Sequence, residues 1–193
     1  DDGSNPALDG FKAAVAEAAV AAGADLVNDV AGLTFDPALA PFCAARNLPV
    51  CVMHAQGDPA TMQRDPQYEN VLLDVYDYLA GRITALEAEG IARHNIIADP
   101  GIGFGKTLEH NLTLLANLSL FHSLGVPILL GASRKRFIGT IGGGAAGEDR
   151  APGSIAVALA ALSHGVQVLR VHDVAQTIQS ISLYRAALTG KQL

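Results

Sequence analysis

The chain has 193 residues, half of them apolar, few aromatics and a formal net charge of −6. That is length enough for a single domain with a buried core, and the acidic balance argues against a nucleic-acid surface. No apolar run reaches the roughly 18 residues of a membrane span, the opening "DDGSNPALDG" is polar rather than leader-like, and Cys43 and Cys51 form no C-x-x-C pair, so the expectation is one soluble, reduced, cytoplasmic domain over residues 1–193.

From residue 11 the sequence keeps one rhythm. "FKAAVAEAAVAAG" is helical and stops at Gly23, a natural residue just past a helix end. "ADLVNDV" reads as a buried strand. "DPALAPFCAARN" reads as a helix with Asp36 as its N-cap and Pro37 in the first turn. "LPVCVMHA" is the next strand, and the loop "QGDPATMQRDPQ" leads to a long helix, "YENVLLDVYDYLAGRITALEAEG". After the strand "NIIADPG" comes one helix, "TLEHNLTLLANLSLFHSLG". The strand "VPILLGAS", the glycine-rich linker "TIGGGAAGEDRAPG" and the helix "GSIAVALAALSHG" follow. "VQVLRVHD" is the last strand, before a closing helix, "VAQTIQSISLYRAALTG".

Strict strand–helix alternation implies right-handed crossovers and a parallel α/β sheet. Continuous apolar strands are expected where both faces are covered. Five such units fit either an open doubly wound sheet or part of an eight-stranded barrel. Length favours the open sheet, since a full barrel needs about 250 residues.

Every strand ends on polar or chemically useful residues: Asn28 and Asp29, Met53 and His54, Asp99, Ser133 with Arg134 and Lys135, and Arg170 with His172 and Asp173. In a parallel α/β fold these ends share the face where ligands bind. The loop "ADPGIGFGKT" resembles a phosphate loop, but Pro100 stands where a Walker motif needs its first Gly, and Lys106 where the dinucleotide fingerprint needs its third. Its glycines fit a tight turn. Asp99 either caps that turn or accepts two hydrogen bonds from an amidine-like ligand edge, and Lys135 across the mouth favours the second reading.

In a chain with only 13 Lys and Arg, the cluster Arg134, Lys135, Arg136, Arg170 and His172 points to an anion such as a diphosphate. The alternative is ion pairing with Glu148, Asp149 or Asp173, with Arg134 and Arg136 structural. The six histidines show no metal spacing. His94, His110, His122 and His164 read as surface residues, His54 as a core or loop hydrogen-bonder, and His172 as a ligand group. The glycine-rich linker is either a flexible surface loop or a lid beside Lys135.

Six segments in order, "NDVAGL", "VMHAQGDPATMQ", "DPGIGFGKTLEHNL", "LLGASRKRFIG", "RAPGSIA" and "RVHDV", resemble the dihydropteroate synthase family, the pterin-binding enzymes of folate synthesis. The resemblance implies a TIM-type (β/α)8 barrel, here N-terminally truncated to about five or six parallel strands with alternating helices. It implies a transferase that joins 6-hydroxymethyl-7,8-dihydropterin diphosphate to 4-aminobenzoate, giving 7,8-dihydropteroate and diphosphate, and that is a sulfonamide target. By motif, Asn28 and Asp99 would hold the pterin edge, Val30, Met53 and Gly131 would shape its slot, and Lys135 would reach its carbonyl and ring nitrogen. Arg170 and His172 would bind the diphosphate, and Phe104, Ser133 and Lys135 would border the aminobenzoate pocket. Lys135, Arg170 and His172 would carry the catalysis. Asp9 matches a further pterin-binding Asp, although Gly10 departs from the Thr expected beside it.

The resemblance also implies a homodimer and a magnesium ion whose ligand would lie upstream of this chain. The family's first two strands have no counterpart here. A noncatalytic pterin-binding fragment or subunit is therefore the alternative to the enzyme. A pterin-dependent methyltransferase of related fold is a third reading, disfavoured by "DPGIGFGK" and "SRK".

Overall fold

A computed structural model describes residues 12–57, 65–144 and 147–191. Five parallel strands alternate with helices: α1 (Ala13–Ala21), β1 (Val27–Asp29), α2 (Leu39–Ala45), β2 (Val50–Met53), α3 (Val71–Ala88), β3 (Ile96–Asp99), α4 (Leu108–Ala116), β4 (Leu129–Leu130), α5 (Arg136–Gly142), α6 (Ala151–Ser163), β5 (Val168–Leu169) and α7 (Val174–Thr189). One ladder runs β1-β2-β3 and another β4-β5. A parallel bridge between Ala98 and Ile128 joins them, reinforced by the Ala98 amide donating to the Pro127 carbonyl at 2.9 Å. The strands therefore stand side by side in chain order. The reversal that defines an open doubly wound sheet does not occur among them.

Register divides the side chains between two faces. Asn28 pairs with Cys51 and Asp29 with Val52, Cys51 with Ile97 and Met53 with Asp99, and Leu129 with Val168. Because side chains alternate along a strand, Val50, Val52, Ile96, Ala98, Ile128 and Leu130 face the helices. There they form one core with Val75, Leu79, Ile83, Leu86, Leu114 and Phe121. Burying each large side chain contributes roughly 1.5–3 kcal/mol, which holds the helical layer to this face. Asn28, Cys51, Met53, Ile97 and Asp99 fall on the opposite face.

Helix starts follow local chemistry. Asn70 accepts hydrogen bonds from the Leu72 and Leu73 amides at the start of α3. Thr107 and His110 close a reciprocal capping box on α4, each such cap being worth about 1 kcal/mol.

Several expectations need correction. The helix expected over residues 107–125 breaks at Asn117, whose side chain reaches back to the Thr113 carbonyl. It then continues as a 3-10 helix, Leu118–Leu124, because a side chain that bonds its own preceding turn competes with the helix. Helix α5 starts immediately before the expected glycine-rich linker and runs into it, anchored by buried Phe137 and Ile138. Asp36 lies short of α2, which begins at Leu39. Its carboxylate instead accepts the Ala38 amide and the Ala13 amide at the head of α1, so one side chain ties two helix starts. His110 is half-buried against Tyr68, and half-buried His122 bonds the His164 carbonyl; neither is a plain surface residue. Both cysteines are free and buried. Among the described residues, no helix is long and apolar enough to cross a membrane.

Candidate active site

The strand ends and the segments leaving them form a mouth. At its centre is Asp99, the last residue of β3, only 5% exposed. One carboxylate oxygen accepts the Gly101 amide at 2.7 Å. The other has no hydrogen-bond partner among the described residues. Burial pushes the Asp99 carboxyl up to about 6, against the Gly101 hydrogen bond and the charges of Arg170, Lys106 and Lys135, which pull it down. At neutral pH the group is ionised and holds an open acceptor oxygen towards the mouth.

The turn after Asp99 is possible because of its glycines. Gly101 and Gly105 have φ of 70° and 62°, values that L side chains rarely adopt. A Cβ on Gly101 would overlap the His54 carbonyl, and one on Gly105 the Gln56 carbonyl. The turn thereby lies flat on the end of β2 and delivers Phe104 to the mouth. Tyr68 fastens it from outside, its hydroxyl donating to the Gly105 carbonyl at 2.7 Å.

Lys135 enters from the opposite side. Arg134 precedes it with φ of 57°, a left-handed conformation costing about 1–2 kcal/mol for a non-glycine residue. Several contacts hold that bend, among them Arg150 Nη1 donating to the Arg134 carbonyl at 3.2 Å. The Arg134 guanidinium grips the Asp173 carboxylate through Nε at 3.1 Å and Nη2 at 2.6 Å, and the Arg134 amide donates to Ser154 Oγ at 2.8 Å. This is the ion pairing expected of a structural Arg134. The bend throws Lys135 back over the mouth, where its ammonium sits 4.0 Å from the centre of the Phe104 ring, within cation–π range. Burial, with the positive charge of Arg170, lowers the Lys135 pKa, while Asp99 raises it. Its Nζ has no hydrogen-bond acceptor among the described residues.

Gly131 carries no side chain between the two charges that flank it. A Cβ there would stand 3.4 Å from Arg170 Nε and 3.6 Å from Asp99 Oδ2. Arg170 follows β5, its amide donating to the Leu130 carbonyl at 3.0 Å. Its guanidinium is exposed and makes no ion pair among the described residues. His172, also exposed, is fixed by Ser133, whose Oγ accepts the His172 amide at 3.2 Å and lies 3.0 Å from Nδ1. Ser133 is thus committed to the Arg170–His172 side of the mouth.

On the first strands, Met53 is buried as the register partner of Asp99, and Asn28 and Val30 are half-buried. Asp29, although a strand end, belongs to the scaffold: its oxygens accept the Ala31 and Leu33 amides. Asp9 lies outside the described residues. The fold therefore gathers Asp99, Lys135, Phe104, Gly131 and Arg170 closely, with Asn28 and Met53 on the same sheet face. Sequence reasoning passed over Lys106, which is 4% exposed beneath the turn. The signal was a lysine closing a five-residue, three-glycine turn whose carbonyls have to point somewhere.

The arrangement suits a flat, polar heterocycle joined to an anion. The pairing of one ionised carboxylate with one ammonium can read a ring edge carrying both donors and acceptors, and Arg170 with His172 can take the anion. Among the described residues no three His, Cys, Asp or Glu gather to hold a metal ion.

Comparison with known proteins agrees with this chemistry. The family described as pterin binding enzyme matches residues 6–172. The dihydropteroate synthase of Escherichia coli K12 is 39% identical over 185 residues, covering 96% of this chain and 65% of that protein. The fold is similar to a crystal structure of the Yersinia pestis dihydropteroate synthase in a sulfonamide drug complex, with a TM-score of 0.88, 39% identity, and 94% of this chain and 65% of that one covered. It is also similar to the Xanthomonas albilineans dihydropteroate synthase in complex with 7,8-dihydropteroate, with a TM-score of 0.85, 42% identity, and 93% and 65% covered. The chain spans about 65% of the length of the E. coli relative.

Proposed function

The chain belongs to the pterin-binding enzyme family, and on that premise we propose that it carries the strand-end site of a dihydropteroate synthase. The observation that supports this reading is the set of polar groups at the mouth without a hydrogen-bond or ion-pair partner among the described residues: one oxygen of Asp99 and the Arg170 guanidinium beside Gly131, and the Lys135 ammonium over Phe104. Of the three only Asp99 is buried; a buried carboxylate with an open oxygen, facing two cations at the same mouth, marks a ligand's place.

In this reading Asp99 and Asn28 hold the amidine-like edge of 6-hydroxymethyl-7,8-dihydropterin diphosphate, and Lys135 meets its carbonyl and ring nitrogen. Met53, Val30 and Gly131 bound the ring, while Arg170 and His172 hold the diphosphate. The C–O bond between the pterin methylene and the diphosphate breaks, and its electron pair leaves on the diphosphate oxygen. The Arg170 charge stabilises that oxygen as it develops. The nitrogen lone pair of 4-aminobenzoate, seated beside Phe104 and Lys135 with Ser133 behind, then forms the new C–N bond and releases a proton. No side chain acts as a nucleophile, and positioning of the two reactants supplies the remainder.

Strands standing in chain order, their ends on one face, support the finer architecture of a (β/α)8 barrel of which the described residues supply five strands. The magnesium ion that the family resemblance implies would take its protein ligand from upstream of this chain; among the described residues no three His, Cys, Asp or Glu gather around a metal position. The homodimer and a cytoplasmic location remain part of this proposal.

Two assays on the same chain test the reading. Calorimetric titration with the dihydropterin diphosphate is expected to show 1:1 binding that inorganic diphosphate weakens by competition. Incubation with 4-aminobenzoate as well, monitored for dihydropteroate, separates the enzyme from a pterin-binding subunit: binding with turnover supports the first, binding without turnover the second. A folded chain that binds no pterin contradicts both.

A further inference from the structure

The Lys106 ammonium lies in a cage made only of acceptors. Its Nζ stands 2.9 Å from His54 Nδ1, 2.9 Å from the Gly101 carbonyl, 3.0 Å from the Phe104 carbonyl and 3.3 Å from the His54 carbonyl. An ammonium has three N–H donors, and the three shortest contacts use all of them. Burial and the Lys106 charge hold the His54 imidazole neutral, pushed down to about 3, so Nδ1 is free to accept and the ring proton sits on Nε2. Burial lowers the Lys106 pKa to about 7, with Asp99 raising it and Lys135 lowering it further, so the ammonium is the form held below pH 7; a neutral amine in the same place has only two donors and would turn a lone pair towards an acceptor.

These contacts explain why a charged side chain is buried here at all. The turn after Asp99 points the Gly101 and Phe104 carbonyls inward, away from solvent and away from any sheet ladder. Buried carbonyls need donors; the Gly101 carbonyl also accepts the Phe104 amide at 3.2 Å, and the cation adds a donor to each from a single point. The same ammonium reaches across to the carbonyl and the ring of His54 at the end of β2. Around it, Tyr78 meets the His54 ring edge-on at 4.9 Å, and Tyr68 lies 6.0 Å away on the other side. The Asn111 side chain closes the base, its Oδ1 accepting the Gly103 amide at 2.7 Å.

What the turn carries is Phe104 and Gly103. Gly103 lies against the Lys135 side chain, where a Cβ would come within 3.2 Å of Cδ, and the Phe104 ring lies under the Lys135 ammonium at 4.0 Å. The backbone thus links the two lysines: Lys106 fixes the turn from below, and the turn receives Lys135 from above.

We propose that Lys106 is a positioning residue whose ammonium holds the Gly101–Gly105 turn on His54, and so sets Phe104 beneath Lys135 on the second-substrate side of the mouth. The assignment rests on the reading of that side as the 4-aminobenzoate pocket for its functional consequence, but its structural part stands apart from any ligand. The effect is specific to a charge, not to a filled volume.

The experiment uses the 193-residue chain with 13C at the lysine ε-carbons; its four lysines are Lys12, Lys106, Lys135 and Lys191. The Phe104 ring shifts the Lys135 signal upfield, and a Lys135→Arg control identifies that signal. Lys106→Ala is expected to abolish the shift, and propylammonium added to that variant is expected to restore it, whereas propan-1-ol is not. In the presence of the dihydropterin diphosphate, 4-aminobenzoate affinity is expected to fall roughly tenfold to a hundredfold, as for loss of one or two charge-assisted hydrogen bonds, and to recover with propylammonium. A retained ring shift in Lys106→Ala, or rescue by propan-1-ol as good as by propylammonium, overturns the proposal.

If Lys106→Ala does not fold, the unaltered chain decides. Its Lys106 ammonium protons are expected to be visible and slowly exchanging in a 15N spectrum at pH 6, and protons that exchange as fast as those of Lys12 and Lys191 overturn the proposal. Failure of the parent chain to bind either substrate, with the ring-shift rescue intact, counts against the assigned function and leaves the positioning role standing.

Discussion

The turn between β3 and α4 and the segment between β4 and α5 hang from neighbouring strands and line the same mouth. Each ends in a lysine. In the first, the donors of Lys106 are all used on carbonyls and His54, Asn111 takes the Gly103 amide, and Tyr68 takes the Gly105 carbonyl. In the second, the backbone is pinned at Arg134 by Asp173 and Ser154, yet among the described residues the Lys135 ammonium meets only an aromatic face. Two lysines at one site therefore do different work, and saturation of their hydrogen bonds tells them apart. Groups whose partners come from the protein build the mouth, and groups whose partners are missing read the ligand.

That contrast can be broken from the ligand-reading side first. Arg170→Met is expected to weaken dihydropterin diphosphate binding on the order of a hundredfold, since it removes a charge that the anion needs. It should also flatten the dependence of affinity on salt. Titrations at two ionic strengths check both, and an affinity within about threefold of the parent would place Arg170 among the scaffold groups.

Next in size is a gain in stability. Burial raises the Asp99 carboxyl to about 6 in the folded chain, above its ordinary value near 4. The folded state therefore binds the proton more tightly than the unfolded one. The stability this contributes is full below pH 4 and is lost as pH rises through about 6. At pH 7 the ionised carboxylate is a burden, so Asp99→Asn should melt higher, by about 2 kcal/mol in denaturant unfolding. An unchanged or lower midpoint would mean that the charge is satisfied within the protein.

The same titration sets a pH dependence of binding. Because the ionised form is the acceptor, pterin affinity should fall about tenfold at pH 5, one unit below the midpoint, and the gap between the parent and Asp99→Asn should narrow by about the same factor. Calorimetry between pH 5 and 8 follows this. The smallest effect belongs to the surface: the exposed Arg46–Glu17 pair, at 3.6 Å, should be worth under about 0.5 kcal/mol, and Arg46→Ala should leave ligand affinity unchanged.

The sequence makes the ligand-reading half legible and hides much of the scaffold half. Asp99, Lys135 and Arg170 stand at or just past the ends of apolar strands, and strand ends of a parallel fold share one face whatever the details between them. Lys106 has no such marker. Its role comes from where the carbonyls of Gly101, Phe104 and His54 meet in space, and His54 is 52 residues away. Nor is α5 legible as a helix, because its glycines weigh against one, and only burial of Phe137 and Ile138 makes it worthwhile. The strands are shorter than their apolar runs for a related reason. The apolar runs continue beyond the ladders, but the backbone after Asp29 curves into a turn that its own carboxylate closes.

The most direct test of the central claim is a side-by-side calorimetric titration of the parent chain and Asp99→Asn with 6-hydroxymethyl-7,8-dihydropterin diphosphate at pH 7.5. If unpaired groups read the ligand, the parent binds and the variant, though folded and melting higher, loses at least about a hundredfold in affinity. Equal affinity for the two would contradict the account, because the open oxygen of Asp99 would then have no ligand to read.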